Sequence, residues 1–198
     1  EAADFNPTNI GIEKLTLNVK AGDDIETDNN FSTTTTEITL TGGNSLSKFD
    51  VATNNVLVDE LEKFDASGFD GNVALEVADD SFDDTLTIIG AGASTDSVQS
   101  KLVTTKTVKP KVSKIKTLDV QVAAGGSITG TLDLGNSSDV STIKADVGDS
   151  DTLKITKVDG QTIKLTNAET TATLEVVLND DSGSEDTLTF HIDPDDAT

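Results

Sequence analysis

Between Leu61 and Val98 the chain switches every few residues between period-two apolar alternation and tight turns rich in Gly and Asp, and this limits it to β structure. Val73, Leu75 and Val77 fall on one side of a strand, as do Leu86 and Ile88 on the next. Asp79, Asp80, Asp83 and Asp84 lie between these runs, and Gly90, Gly92 and Asp96 follow them. Similar strands recur to either side: Leu15, Leu17 and Val19 alternate near the start, and Ile38 and Leu40 close a Thr-rich run before Gly42 and Gly43. Glu13-Lys14-Leu15-Thr16 returns as Glu62-Lys63-Phe64-Asp65, a phrase that reads as the signature of a repeating rung. The core must be built from Val, Ile, Leu and Thr, because aromatic residues make up 4% of the chain and all are Phe. These β-branched and aliphatic residues favour strands.

The stretches LEKFDASGFDGNVALEV (61–77) and FDDTLTIIGAGASTDSV (82–98) resemble the β-solenoid repeats of bacterial surface-layer proteins and their calcium-binding RTX relatives. The resemblance covers about residues 10–100 and rests on Asp65-Ala66-Ser67-Gly68 and Asp84-Thr85-Leu86. Gly90-Ala91-Gly92 is followed by Ala93, Ser94 and Thr95 before Asp96 is reached, so the strict glycine–aspartate nonapeptide is broken. The resemblance therefore implies an irregular solenoid.

Residues 99–114 differ in character, with Lys101, Lys106, Lys109, Lys111 and Lys114 gathered around Pro110. They read as an edge strand running into a linker, its lysines facing solvent, with a polyanion site as the sharper alternative. Beyond them, strands are expected at 118–122, 128–134, 140–146, 152–156, 162–166, 172–178 and 187–192. Asp159-Gly160 should turn a hairpin, and a longer hairpin loop should span 179–184. This rhythm, over about 107–193, resembles the immunoglobulin-like modules of bacterial surface proteins and adhesins. The expected fold is thus all-β: an irregular β-solenoid-like domain over 1–105, then an Ig-like β-sandwich over 106–198. The competing reading continues the solenoid to the C-terminus, supported by Asp84-Thr85-Leu86, Asp151-Thr152-Leu153 and Asp186-Thr187-Leu188.

The formal net charge of −22 argues against nucleic acid and anionic membranes as partners. No apolar run is long enough to span a bilayer, so membrane insertion is not expected. Cys is absent, which removes disulfides and thiol chemistry. The first residues do not form a signal peptide and there is no initiating Met, so a processed product or a piece of a larger protein is expected. His191 is the one histidine and stands in a strand; no nucleophile elbow or phosphate loop accompanies it. Paired carboxylates could serve a polysaccharide hydrolase or lyase, but the chain has no Tyr, Trp or Arg with which to grip sugars, and an enzyme is not expected.

Carboxylates on tight turns suit a hard cation, with calcium as the first candidate. The expected ligands are Asp79, Asp80, Asp83, Asp84 and Asp96; Asp146, Asp149 and Asp151; and Asp180 and Asp181, with Asp186 nearby. The alternative is that these residues hydrogen-bond their own backbone in turns. Asn30 and Asn136 fit the glycan-acceptor pattern. The expected function is that of a secreted, extracellular structural protein of the cell surface. It would self-assemble with copies of itself into a surface layer or filament stabilised by calcium, with cell-surface polysaccharide as a second expected partner. The alternative is a binding module of a large RTX-type adhesin that recognises a glycan or surface.

Overall fold

A computed structural model describes residues 3–4, 11–27, 34–51, 60–77, 82–102, 105–122, 127–168, 171–179 and 188–192. In chain order the strands of the first half are β1 (Ala3–Asp4), β2 (Lys14–Val19), β3 (Asp24–Thr27), β4 (Glu37–Gly42), β5 (Lys48–Val51), β6 (Lys63–Phe69), β7 (Asn72–Val77), β8 (Thr87–Ile89) and β9 (Ser97–Leu102). Those of the second half are β10 (Thr107–Val108), β11 (Lys111–Ser113), β12 (Thr117–Val122), β13 (Thr129–Asp133), β14 (Thr142–Val147), β15 (Thr152–Val158), β16 (Thr162–Ala168), β17 (Thr173–Leu178) and β18 (Thr189–Ile192). A 3₁₀ turn at Leu134–Asn136 is the helical element among the described residues.

The chain winds as a β-solenoid. One nine-stranded sheet, ordered β1-β3-β5-β7-β9-β12-β14-β16-β18, runs along its whole length. The opposite wall consists of a five-stranded sheet, β11-β8-β6-β4-β2, followed by a four-stranded one, β10-β13-β15-β17. Every pairing among the described residues is parallel. Parallel neighbours need a crossover between them, and here the crossovers carry the strands of the other wall. Side chains that meet across the ladder are accordingly about one turn apart in sequence, 23 residues for Lys14–Glu37 and 21 for Lys154–Glu175.

Alternation fills the interior. Every second residue of β7 and of β12 is buried, and these residues join one continuous core with Ile38, Phe64, Leu132, Leu153 and Ile155 from the facing wall. Phe49 and Phe64 meet across it with ring centroids 5.7 Å apart. The small residues have geometric reasons. A Cβ on Gly90 would lie 2.5 Å from the Lys114 carbonyl oxygen and 2.7 Å from Ile115 Cδ1, where the Gly90 N–H donates to Ser113 O at 2.9 Å.

The C-terminal half is a correction to the sandwich reading. The expected strands form close to their expected positions, but β12, β14, β16 and β18 stack in parallel on the long sheet, and β13, β15 and β17 stack in parallel on the other wall. An immunoglobulin-like module is built from antiparallel strands. Alternation and spacing are the same in both architectures, so the strand rhythm alone does not separate them. Asp159-Gly160, expected to turn a hairpin, instead turns the corner from one wall to the other: Gly160 has φ +76° and the Asp159 N–H donates to Gln161 Oε1 at 2.6 Å. Residues 180–184 of the second expected hairpin loop lie outside the described residues.

The boundary expected between 105 and 106 falls beside the place where the second wall changes sheets. There β10 pairs with β13 while β11 pairs with β8, and Pro110 sits between them with no N–H to give to either ladder. Ser137 Oγ donates to the Pro110 carbonyl at 2.7 Å and the Ser138 N–H to Val112 O at 2.7 Å, closing the fork. The long sheet crosses this region unbroken, with β9 hydrogen-bonded to β7 on one side and to β12 on the other. Residues 97–102 therefore form an interior strand rather than the expected edge.

Candidate functional site

The turn aspartates expected to hold calcium occupy quite different places. Asp96 is fully buried. Its Oδ1 accepts from the Val73 N–H at 3.0 Å, one turn away, and its Oδ2 from the Gly92 and Ala93 N–H groups at 2.8 and 3.0 Å. Its own carbonyl accepts from Lys116 and Thr117 N–H on the next turn, both at 3.1 Å. Asp96 thus ties together three levels of the solenoid. Burial pushes its carboxyl above the ordinary carboxylate range, against the pull of the N–H groups of Val73, Gly92, Ala93 and Ala91.

Ser47 does the same work two turns earlier, its Oγ accepting from the Gly22 N–H at 2.9 Å and the Asn44 N–H at 3.2 Å. On the other wall, buried Asp151 accepts from the Ile128 N–H at 3.0 Å. A polar residue immediately before a strand is the sequence signal of this device: Ser47 precedes Lys48, Asp96 precedes Ser97 and Asp151 precedes Thr152.

Asp83 accepts from both the backbone N–H (2.7 Å) and the hydroxyl (2.6 Å) of Thr85, an Asx turn, and Asp84 is exposed beside it. Asp146 points outward on β14 and accepts from Gln121 Nε2 at 2.6 Å. Asp149 is exposed and accepts from the Thr171 hydroxyl. Asp79, Asp80, Asp180, Asp181 and Asp186 lie outside the described residues, as does Asn30. Among the described residues no three Asp, Glu or His side chains converge as a cation cage.

The lysines around Pro110 do not form one patch. Lys101 projects from the long sheet and Lys111 from the opposite wall, while Lys109 lies 3.6 Å from Asp133. His191 stands exposed on β18 in register with Lys164, and Asn136 closes the 3₁₀ turn.

The solenoid does assemble a polar depression that the sequence did not suggest, on the outer face of the long sheet. It has a volume of about 220 Å³ and is bordered by Asp50, Glu76, Gln99, Asp119 and Lys144. It exists because Ala74 and Ser97 are small and lie in the row Asp50–Ala74–Ser97–Thr117. A neighbouring hollow of about 310 Å³ continues it toward Lys48, Asn72 and Thr95. Lys144 Nζ lies 3.6 Å from Asp119 Oδ2. Burial raises the Asp119 carboxyl despite Lys144, with the Asp146 charge adding to the rise, and burial raises Asp50 against Lys48. Partners in this face come from strands one turn apart, so no local sequence motif marks it.

The two ends are the remaining distinctive surfaces. On the wall opposite the long sheet, β2 and β17 are the terminal strands. Leu15 and Leu17 on β2 and Leu174, Val176 and Leu178 on β17 are only partly covered, whereas Ile38, Leu40, Phe64, Leu132, Leu153 and Ile155 on the interior strands of this wall are fully buried. Val177 and Phe190 are exposed near the C-terminal end.

No protein-family model matches this chain, and no curated protein or solved structure is significantly similar to it.

Proposed function

We propose that this chain is a secreted structural protein of the bacterial cell surface that self-assembles into a surface layer or filament, with calcium stabilising the assembly. The observation that carries this reading is the uninterrupted parallel ladder: a nine-stranded sheet backed by a second wall over one continuous core. Such an object is a stiff rod whose terminal strands offer edges for strand addition. Its charge of −22 opposes close packing of copies, and divalent cations bound at the acidic surface relieve that repulsion. The part we assign to calcium is neutralisation within and between copies. We assign no catalytic role.

The test is particle size by light scattering and electron microscopy, together with thermal melting, first in calcium and then in excess EGTA. Calcium is expected to raise the melting temperature and drive ordered assemblies that EGTA dissolves. A monomer of unchanged stability in both would move the protein to the second reading, an adhesin module that binds a glycan or surface. The polar depression bordered by Asp50, Glu76, Gln99, Asp119 and Lys144 is the observation that favours this alternative.

A further inference from the structure

We infer that copies of this chain join head to tail along the solenoid axis, with β17 of one copy pairing in parallel with β2 of the next, in the register that places Glu175 against Lys14. This inference rests on the self-assembly reading above and specifies its contact. Among the described residues β2 has one partner strand, β4, and β17 has one, β15. Both strands run in the same sense along their wall, so a second copy continuing the axis meets β17 in the parallel orientation used at every other level.

Two side-chain patterns select the register. Inward, Val176 and Leu178 come to face Leu15 and Leu17, completing the half-covered apolar layers at both ends. Outward, Lys154 Nζ meets Glu175 Oε1 at 2.6 Å in one row. At the other end Lys14 Nζ meets Glu37 Oε2 at 2.7 Å, and Lys63 follows at 3.7 Å from Glu37. Setting Glu175 beside Lys14 joins these into a single row of alternating charge, Lys154–Glu175–Lys14–Glu37–Lys63. The two side chains at the junction are the open ones, Glu175 at 49% and Lys14 at 75% exposure.

The long sheet sets a further condition. The first and last described strands, β1 and β18, both lie on that sheet. When β17 pairs directly with β2 of the next copy, β18 reaches the level occupied there by β1 and takes its place on β3. Among the described residues, that exchange displaces the two-residue pairing of Ala3–Asp4 with Ile25 and Glu26. A heterologous contact of this kind does not close on itself and yields a filament.

The proposed register puts Thr16 of one copy opposite Val177 of the other. Both are exposed, and the chain has no Cys. Strands paired in register hold Cα atoms about 4.8 Å apart, within disulfide range. Within one chain the two positions lie at opposite ends of the stack and cannot meet. The experiment is oxidation of the double variant Thr16→Cys/Val177→Cys under conditions where the wild type assembles, followed by non-reducing electrophoresis. Lys14 and Glu175 are left intact. A reducible ladder extending well beyond dimer is expected, and none from Thr16→Cys/Gln99→Cys, whose second cysteine lies on the side of the rod. Assembly by light scattering without a ladder would overturn the axial contact and leave the self-assembly reading standing. Absence of assembly in calcium under all conditions would remove both.

Discussion

Asp96, one of the expected calcium ligands, brackets adjacent turns through its carboxylate. Three backbone N–H groups from two turns point at its buried oxygens. Removing the carboxylate strands donors, each costing about 1–3 kcal/mol when left unpaired and buried. Asp96→Ala is therefore expected to lose about 3 kcal/mol or more, by the same amount in calcium and in EGTA, as read by chemical denaturation. A loss that appears only in calcium would make Asp96 a ligand instead. Gly90→Ala should cost about 1–3 kcal/mol because its Cβ meets Lys114 O and Ile115 Cδ1, again checked by denaturation. Both residues were singled out by the glycine–aspartate pattern. What the pattern left open was their partners: Val73, Lys114 and Ile115 lie about one turn away in sequence.

At the scale of elements, the interior is held by side chains that reach across from one wall to the other. Phe49 on β5 and Phe64 on β6 are fully buried against each other, and Phe64→Ala is expected to cost about 3–5 kcal/mol, measured by the shift of the denaturation midpoint. The outward rows contribute less. Lys14, Glu37, Lys63 and Asp65 form a ladder of ion pairs on β2, β4 and β6, and exposed pairs of this kind are worth at most about 1 kcal/mol each. Their extent was legible only in part: the repeated Glu-Lys phrase at 13–14 and 62–63 places Lys14 and Lys63 two levels apart, and Glu37 supplies the intervening rung. The C-terminal strands were legible one by one, from β12 to β18. Their pairing was not, because period-two alternation states which face is buried and is silent on whether the neighbouring strand is parallel.

The whole molecule carries two opposed responses to acid. Asp50, Asp96 and Asp119 are raised by burial, so the folded state binds their protons at a higher pH than the unfolded chain does. Their ionisation weakens the fold as pH rises from the unfolded value, and acidification from neutrality restores that stability. Asp65 works in the other direction. Burial tends to raise its carboxyl, but the hydroxyl and N–H of Ser67 and the Lys63 ammonium outweigh this and hold it at about 2. Its contribution is present above the unfolded value of 3.8 and is lost as pH falls from there toward 2. The melting temperature is thus expected to rise as pH falls from 7, helped by relief of the net charge, until loss of the Asp65 contribution below 3.8 reverses the trend. A melting curve that declines steadily from pH 7 would contradict this. Added salt at pH 7 should also raise the melting temperature, since screening weakens self-repulsion. By itself the sequence determined that this chain is made of short strands with one apolar face, turned by Gly and Asp, and strongly acidic, because alternation, turn chemistry and charge are local properties. Only the tertiary structure decided that the solenoid runs through both halves, that Asp96 and Asp151 face backbone donors, and that Asp50, Glu76, Asp119 and Lys144 share one depression. Those relations join residues a full turn apart, and it is the parallel stacking of turns that brings them into contact.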